Sequence, residues 1–328
     1  MHGERSVDLG AGIGQTPRAG EAMLVTVAVC TWNRAGLLDQ ALGEMERLRL
    51  PAGVELEIVV VDNASTDETP DVAARRAARL PLRRVAEPSP GISHARTRAL
   101  REARGDLLLF ADDDVLVDPG WIEAYAAAAA ARPDAAFFGG PIEPWFRSPP
   151  PAWLARNWSI FAGAFALRGD PQVETLKSRE HLPFSANLAL RRRVYAGRGF
   201  DPSLGRNRAA WLGGEELRFL EELVAEGHFG VWVREARVRH HITPERQTVA
   251  YLRAFYHGKG RTRVRQGDPL PPRSRLVRTW WKARLRGWAM APLRGERWAR
   301  ALKRSATTRG ILDELCARSA DPGSHTAP

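Results

Sequence analysis

Three consecutive aspartates, Asp112, Asp113 and Asp114, follow a strongly apolar segment of the chain. Three adjacent negative charges repel one another unless a cation offsets them. A divalent metal is the simplest such cation, because carboxylate oxygens are ligands that Mn²⁺ and Mg²⁺ accept. A metal held there would in turn bridge the phosphates of a nucleotide. The alternative is that one aspartate caps the following helix while the other two are hydrated.

A further carboxylate, Asp62, ends the apolar run LEIVVVD and is followed by Asn63. A carboxylate at the end of a buried strand needs hydrogen-bond partners. A nucleotide base or a ribose could be that partner. An Asx turn that begins at Asp62 or Asn63 explains the same pattern equally well.

Apolar, β-branched runs alternate with helical stretches in the first 140 residues. The strands are predicted at 24–31, 56–62, 82–87, 106–114 and 135–140, and the helices at 36–48, 67–79, 93–104 and 119–131. Ser65 or Thr66 is the predicted cap of the second helix. This alternation predicts an α/β fold with a mainly parallel sheet and helices on both faces. The carboxyl ends of its strands share one edge, where such sheets bind ligands, and the polar residues above fall at those ends.

Four motifs occur in order along the chain: TWNRAGLL, VDNASTDET, GISHARTRALREARGDLLLFADDDV and GGEELRFLEEL. Together they resemble the family 2 glycosyltransferases, which share the GT-A fold, from about residue 23 to about residue 256. The resemblance implies a metal-dependent enzyme that moves a sugar from a nucleotide diphosphate to an acceptor hydroxyl, with inversion at the anomeric carbon. A UDP-sugar is the favoured donor. The acceptor, a glycan, a lipid-linked saccharide or another hydroxyl compound, is left open.

The resemblance also implies which residues contact the nucleotide sugar, with Asp62 at the base and Asp112 near the ribose. These residues are Thr31, Asn33, Arg34, Asp62, Asn63, Arg96, Asp112, Asp113 and Asn187. Asn187 belongs to PFSANLALRR, which resembles the strand beside the donor sugar, so its amide is a candidate for binding a sugar hydroxyl. The alternative is a turn residue whose amide bonds to the backbone.

The catalytic base and the metal ligands follow from the same resemblance. In GGEELRFLEEL the acid that deprotonates the acceptor is Glu216, where the family has aspartate, and Glu215 is the second candidate. Asp114 corresponds to the metal-binding acid of the DxD motif. His240 or His241 completes the metal site, with His241 preferred, since imidazole is an acceptable Mn²⁺ ligand. A structural histidine pair is the alternative, and Mn²⁺ or Mg²⁺ is the expected cofactor.

The net charge of +11 is concentrated in the C-terminal third of the chain. Around residues 273–304, basic and apolar residues recur at helical spacing; the basic ones are Arg275, Arg278, Lys282 and Arg286, and the apolar ones Val277, Trp281, Leu285 and Trp288. This pattern is typical of a helix that lies in an anionic membrane surface. A helix that packs its apolar face on the catalytic domain shows the same pattern. Nucleic acid is not the expected partner, because no recognised binding module accompanies the basic residues.

The domain organisation follows from these patterns. Residues 1–22 are a predicted disordered leader, with no apolar region typical of a secretory signal. Residues 23–260 form the GT-A catalytic domain, with a nucleotide-sugar half at 23–140 and an acceptor half at 141–260. Residues 261–328 form a basic, amphipathic helical tail. No apolar run is long enough to span a bilayer, and the two cysteines are far apart, so we expect a cytoplasmic protein that is peripheral on the inner face of the membrane.

Two other functions share parts of this pattern. A nucleotidyltransferase acting on sugar phosphates also uses a parallel sheet, carboxylates and a metal, but it needs a glycine- and basic-rich loop where this chain has TWNRAG. A non-catalytic protein that binds sugar or lipid on a transferase fold is the other alternative. The presence of Asp62, Asp112, Asp114 and the Glu215–Glu216 pair argues against it.

Overall fold

The computed structural model describes residues 22–206 and 212–320. Most of the predicted leader and the last eight residues of the tail lie outside these ranges. The strands are β1 Met23–Thr31, β2 Val54–Asp62, β3 Leu82–Ala86, β4 Leu107–Asp112, β5 Val115–Val117, β6 Phe137–Gly139, β7 Ile142–Trp145, β8 Leu188–Arg191, β9 Gly230–Trp232 and β10 Val238–His241. The helices are α1 Ala35–Met45, α2 Thr69–Ala77, α3 Ile92–Glu102, α4 Trp121–Ala131, α5 Ala152–Arg156, α6 Trp158–Phe161, α7 Arg192–Tyr195, α8 Glu215–Ala225, α9 Val249–Arg265, α10 Arg273–Ala289 and α11 Glu296–Ala320.

The larger sheet has the strand order β3-β2-β1-β4-β8-β6-β9. β1, β2, β3 and β4 run parallel, and β8 is antiparallel to both of its neighbours. The register places Thr31 beside Asp62 and Cys30 beside Asp112, so β1, β2 and β4 end at the same edge. The predicted mainly parallel sheet is therefore confirmed.

Alternate residues of β1 belong to two different cores, one on each face of the sheet. Val27 and Val29 pack with residues of α1 and α4, whereas Ala28 and Cys30 pack with residues of α3 and α8. Strands buried on both faces need continuous apolar sequence, which explains the unbroken VTVAVC run. The helices thus cover both faces, as predicted.

A smaller sheet of order β5-β10-β7 continues from the aspartate cluster. β10 is antiparallel to β5, with His240 opposite Val115, and parallel to β7. The backbone N–H of His241 donates to the carbonyl of Asp114 at 2.8 Å. This sheet therefore brings the histidine pair next to the aspartates, although the aspartates precede the histidines by more than 120 residues.

The predicted cap of α2 by Ser65 or Thr66 is wrong. α2 begins at Thr69. The backbone N–H of Thr69 donates to the Asp67 carboxylate at 3.1 Å, and the Thr69 hydroxyl donates to the same carboxylate at 2.6 Å. Neither group bonds to Ser65 or Thr66. Ser65 and Thr66 instead bond to Asn33 in the loop after β1. An aspartate close to a helix start accepts backbone N–H groups as well as a hydroxyl does, so the local pattern allowed either.

The C-terminal helices pack directly on the catalytic domain. α9 runs from Val249 to Arg265, so the boundary predicted at residue 260 falls inside a helix. α9 and α11 approach closely at two glycines: a Cβ on Gly260 would lie 2.0 Å from the Thr307 carbonyl oxygen, and one on Gly310 would lie 1.9 Å from that of His257. Residues of α5, α6, α9 and α11 share one apolar core. The first part of the predicted tail, residues 261–265, is therefore continuous with the predicted acceptor half.

The helix α10 packs on α11 through a different face from the apolar one identified in the sequence. Its buried residues are Leu276 and Ala283. Trp281 is 50% exposed and Trp288 is 80% exposed. The alternative in which that apolar face packs on the catalytic domain is therefore wrong. Among the described residues, no helix is long and apolar enough to cross a membrane.

Candidate active site

A cavity of about 1110 Å³ opens at the carboxyl edge of the larger sheet. Most of the residues predicted to form the site line it, namely Thr31, Asn33, Arg34, Asn63, Arg96, Asp112, Asp113, Asp114, Glu215, Glu216 and His240. They come from the ends of β1, β2, β4 and β10 and from the starts of α3 and α8. The structure thus brings together residues that are up to about 200 positions apart. Asp62, Asn187 and His241 are not among the lining residues.

Asp113 organises the loop that follows β1. Its carboxylate accepts from the Thr31 hydroxyl at 2.8 Å and from Arg34 Nη1 at 2.8 Å. Arg34 Nη1 also lies 3.2 Å from Asp114 Oδ2. Burial raises the pKa of Asp113, and the charge of Asp114 adds to that effect, although Arg34 opposes it. Asp113 therefore positions Arg34 beside the cavity.

Asn33 links the loops that follow β1 and β2. It has a left-handed backbone with φ of 50°, which asparagine tolerates better than most residues. Its side-chain oxygen accepts from the Thr66 N–H at 2.6 Å, and its own N–H donates to Ser65 Oγ at 3.0 Å. The two loops therefore form one edge of the cavity.

The carboxylate of Asp62 is used within the protein. It accepts from the Ser65 N–H at 2.9 Å and from Arg84 Nη1 at 2.9 Å. The turn interpretation of Asp62 matches these contacts, and its contact with a nucleotide base stays a prediction. Asn63 does line the cavity: its amide donates to the carbonyls of Glu87 and Ser89 and accepts from the Gly91 N–H, which holds the loop before α3.

Asp114 is surrounded by cations and by His240. Arg246 Nη1 donates to Asp114 Oδ2 at 2.8 Å, and His240 Nε2 lies 3.1 Å from Asp114 Oδ1. Burial favours the neutral acid, but the charges of His240, Arg246 and Arg34 hold the pKa of Asp114 well below its usual range. His240 Nδ1 contacts the carbonyl oxygen of Phe165, which can only accept, so Nδ1 carries a proton and Nε2 faces Asp114.

These residues fit a metal ion only in part. A histidine whose Nδ1–H is held by a backbone carbonyl presents Nε2 as histidine ligands of metals do. Asp114 and His240 would thus be two ligands, an oxygen and a nitrogen, of the kind Mn²⁺ accepts. Within residues 22–206 and 212–320, no group of three or more His, Cys, Asp or Glu side chains converges as a metal site. Further ligands would have to come from a bound substrate or water. In this structure the charge of Asp114 is instead offset by Arg246 and Arg34.

The preference for His241 over His240 as the metal ligand stays a prediction, and the geometry favours His240 instead. Successive residues of a strand point to opposite faces, so only one of the two can face Asp114. The His241 ring packs edge-on against Trp145, with the ring centroids 4.5 Å apart, and neither ring nitrogen has a hydrogen-bond partner. Burial lowers the pKa of His241 and keeps the ring neutral.

Asn187 matches the alternative of an amide that bonds within the protein, and its contact with a sugar hydroxyl stays a prediction. It is 0% exposed. Its side-chain oxygen accepts from Trp121 Nε1 at 2.8 Å and from the Tyr125 hydroxyl at 2.7 Å. Its nitrogen donates to the carbonyls of Pro141 at 3.0 Å and Ala236 at 2.7 Å. Both donors and both acceptor positions of the amide are therefore occupied.

The start of α8 carries the two candidate bases. Gly214 precedes them with φ of 90°, a left-handed conformation that explains why glycine stands there. Glu215 is buried and bound by Arg96 of α3, which also reaches Asp112 at 3.4 Å. Glu216 Oε2 lies 4.0 Å from Arg96 Nη1, and its side chain is 15% exposed against 4% for Glu215. Burial and the charge of Glu215 raise the pKa of Glu216 to about 8, although Arg96 acts in the opposite direction.

The sequence did not identify three groups that line the cavity. Arg246 lies in the ARVRHHITPER motif, but nothing in the spacing links it to an aspartate 132 residues earlier. Lys259 and Thr262 of α9 lie near a boundary that the sequence placed inside that helix. The only signal in the sequence was that Arg246 is basic, lies six positions after His240 and could face the acidic cluster.

A mainly parallel sheet with acidic and basic side chains gathered around a cavity at its carboxyl edge is the arrangement of an α/β enzyme. A family model described as "Glycosyl transferase family 2" matches residues 26–195, just over half of the 328 residues. The chain therefore belongs to glycosyl transferase family 2.

Relatives agree with this assignment. The succinoglycan biosynthesis protein ExoM of Rhizobium meliloti (strain 1021) is 25% identical over 81% of this chain and 82% of its own length. Validoxylamine A glucosyltransferase of Streptomyces hygroscopicus subsp. jinggangensis is 38% identical, but the match covers 33% of this chain and only 26% of that protein.

A solved structure shows the same fold. The mannosyltransferase PcManGT from Pyrobaculum calidifontis, in complex with GDP-Man and Mn²⁺, is similar with a TM-score of 0.53 and 20% identity, over 98% of this chain and 81% of that one. The predicted GT-A fold is confirmed.

Proposed function

We propose that this protein transfers a sugar from a nucleotide diphosphate sugar to the hydroxyl of an acceptor, with Glu216 as the general base. One observation carries the proposal. A single cavity joins the ends of β1, β2 and β4, where a nucleotide binds in such sheets, to a carboxylate whose pKa is raised to about 8. A base is most effective when its pKa lies near the working pH.

Each group has a chemical role in this reaction. Glu216 takes the proton of the acceptor hydroxyl while that oxygen forms a bond to the anomeric carbon. The bond from that carbon to the diphosphate oxygen breaks, and the diphosphate leaves with the electron pair. Because the two oxygens lie on opposite sides of the carbon, the configuration inverts. Arg34 and Arg246, beside Asp114, are placed to stabilise the negative charge of the leaving group.

Arg96 is a positioning residue for this base. It binds Glu215 and reaches Asp112, so one guanidinium connects the base helix to the predicted ribose acid. Glu215 is the poorer candidate for the base, because its carboxylate is already paired with Arg96. Glu216 lies 4.0 Å from the same guanidinium and has the more exposed side chain, so it is the better placed of the two to accept a proton.

We further propose that Asp114 and His240 bind Mn²⁺ or Mg²⁺ together with the donor, and that His241 takes no part. The ion would add positive charge next to the diphosphate. PcManGT, which has this fold, binds GDP-Man and Mn²⁺. A UDP-sugar is the first donor to test in this chain, and a GDP-sugar is the second.

The acceptor side supports a saccharide or lipid-linked acceptor at a membrane. ExoM, which aligns over most of both chains, is a succinoglycan biosynthesis protein. On α10 the exposed side chains of Val277, Trp281, Leu285 and Trp288 form one stripe. At 100° per residue this stripe lies between Arg278 and Lys282 on one side and Arg284 on the other. Tryptophan with flanking cations suits an anionic lipid surface, so we propose that α10 rests on the inner face of the membrane.

A donor screen tests the proposed reaction. The purified protein is incubated with UDP-, GDP- and dTDP-sugars, with Mn²⁺, Mg²⁺ or a chelator, and released nucleoside diphosphate is measured. We expect metal-dependent turnover of one donor. Glu216→Gln should abolish turnover and keep donor binding, whereas Glu222→Gln, on an exposed position of the same helix, should change neither. Absence of binding to every donor would refute the proposal, and an active Glu216→Gln protein would exclude Glu216 as the base.

A further inference from the structure

One face of α9 contributes side chains to the lining of the cavity. Phe255, Lys259, Thr262, Arg263 and Gln266 all line the cavity and recur at spacings of three and four residues. The Thr262 hydroxyl oxygen accepts from the Gly213 N–H at 3.2 Å. α9 therefore lies next to the glycine loop that leads into Glu215 and Glu216.

This part of the cavity lining is basic. It includes Arg179, Lys259 and Arg263. Arg179 pairs with Glu221 at 2.8 Å, and Arg263 pairs with Asp268 at 3.0 Å. Among the described residues, the side chain of Lys259 has neither an ion pair nor a hydrogen bond. Glu221 and Asp268 thus pair with two of the three cations, and the charge of Lys259 has no carboxylate partner.

Two cations behind this surface add to the excess. Arg168 donates to the backbone carbonyls of Glu180 and Leu182, and Lys303 contacts the carbonyl of Ile160. Neither forms an ion pair with a carboxylate of the described residues. The side chain of Lys259 is exposed on the wall of the cavity. Desolvation by the surrounding protein lowers its pKa, and the charges of Lys303, Arg179, Arg263 and Arg168 act in the same direction. An anion bound between these like charges would relieve their repulsion.

We propose that Lys259, together with Arg179 and Arg263, binds a phosphate or carboxylate group of the acceptor. This inference rests on the proposed function, because it places the anionic group on the molecule whose hydroxyl meets Glu216. The proposed function assigns the donor diphosphate to Arg34 and Arg246, which are different residues of the cavity lining. Lys259 is one helical turn, about 5 Å along α9, from Thr262, which contacts the glycine loop. The acceptor class is therefore an anionic hydroxyl compound, such as a sugar phosphate or a uronate.

Equilibrium binding tests this site without any transfer reaction. Glucose 6-phosphate, glucuronate and glucose serve as probes, and calorimetry measures their affinities for the wild-type protein. We expect at least one charged probe to bind about tenfold or more tightly than glucose, in keeping with a charge-assisted contact. The phosphate and carboxylate arms then identify which group the site prefers.

Variants assign the preference to this surface. Lys259→Ala should remove the preference for the charged probe, and Lys259→Arg should keep most of it. Lys177→Ala removes an equal charge from an exposed position that does not line the cavity and should have no effect. Circular dichroism checks that each variant is folded. An affinity for the charged probes no greater than that for glucose, or a preference that survives Lys259→Ala, overturns the proposal.

The outcome is independent of the proposed transferase activity. Donor turnover and donor binding are measured on the same preparations. If Lys259→Ala still binds the donor and loses the charged probe, the anion site and the donor site are separate. If the donor is turned over but no charged probe is preferred, the anion site is rejected and the transferase proposal stands.

Discussion

Arg96 and Glu215, 119 residues apart in the chain, form a buried ion pair between α3 and α8. The pair connects α3, at the edge of the sheet proposed to bind the nucleotide, with α8, which carries the proposed catalytic base. Because both side chains are almost completely buried, neither charge can be compensated by solvent if its partner is removed.

Replacing Arg96 by methionine should destabilise the protein. The substitution keeps an apolar stem but leaves Glu215 as a buried, uncompensated charge, which costs about 3 kcal/mol or more. Urea denaturation measures the free energy of unfolding. Arg98→Met, which breaks a partly exposed pair with Glu102, should cost less than about 1 kcal/mol. Equal losses of unfolding free energy in the two variants would show that the buried Arg96–Glu215 pair stabilises the fold no more than the partly exposed Arg98–Glu102 pair.

The rate of transfer should increase with pH up to a plateau above about pH 8. Burial raises the pKa of Glu216 to about 8, so the carboxylate that accepts the proton is the minor form below that pH and the major form above it. Below pH 8, kcat/KM should fall about tenfold per pH unit. Glu222→Gln should have the same profile as the wild type. A flat profile between pH 5 and pH 9 would mean that another group is the base.

His240 and His241 form a matched pair for testing the metal site. His240→Ala should weaken Mn²⁺ binding, measured by electron paramagnetic resonance in the presence of the nucleoside diphosphate, by about tenfold or more. His241→Ala should leave Mn²⁺ binding unchanged, because the His241 ring packs on Trp145 and not toward Asp114. The reverse result would restore His241 as the ligand.

Asn187→Ala should destabilise the fold without removing a sugar contact. The substitution leaves Trp121, Tyr125 and two backbone carbonyls without their partner, and each unsatisfied buried group costs about 1 kcal/mol or more. Thermal unfolding should show a clearly lower Tm. The folded fraction should bind the donor as tightly as the wild type, and a large loss of donor affinity at full folding would return Asn187 to the sugar site.

The exposed tryptophans of α10 should promote binding to anionic vesicles. Trp281→Ser with Trp288→Ser should reduce the affinity for vesicles that contain phosphatidylglycerol by about tenfold or more, because both indoles are exposed. Phenylalanine at the same two positions should preserve most of the binding. Raising the salt concentration should weaken it. Equal binding to neutral phosphatidylcholine vesicles and insensitivity to salt would contradict the role of the basic residues.

The sheet and the edge that carries the site were predictable from the sequence because they depend on local patterns. Runs such as LEIVVVD are too apolar and β-branched to lie anywhere but in a strand buried on both faces. The polar residues that end such runs must then share one edge. This reasoning placed Asp112, Asn63 and Thr31 together without any knowledge of their contacts.

The sequence was least informative about side chains whose surroundings depend on distant segments. Whether His240 or His241 faces Asp114 depends on the register of β10 against β5, and one residue of shift reverses the answer. The amide of Asn187 is occupied by the carbonyls of Pro141 and Ala236, which no local pattern associates with it. The exposed face of α10 follows from where α11 lies, which the spacing of residues within α10 does not reveal.

The glycine contacts between α9 and α11 have a practical consequence for engineering this protein. Because no side chain separates the two helices at Gly260 and Gly310, the position of α9 depends on the last helix of the described chain. A truncation at the predicted boundary, residue 260, would cut α9 in two and expose the apolar core it shares with α11. Shortened versions should therefore retain residues through 320, and substitutions in α11 that shift α9 would move the side chains with which α9 lines the cavity.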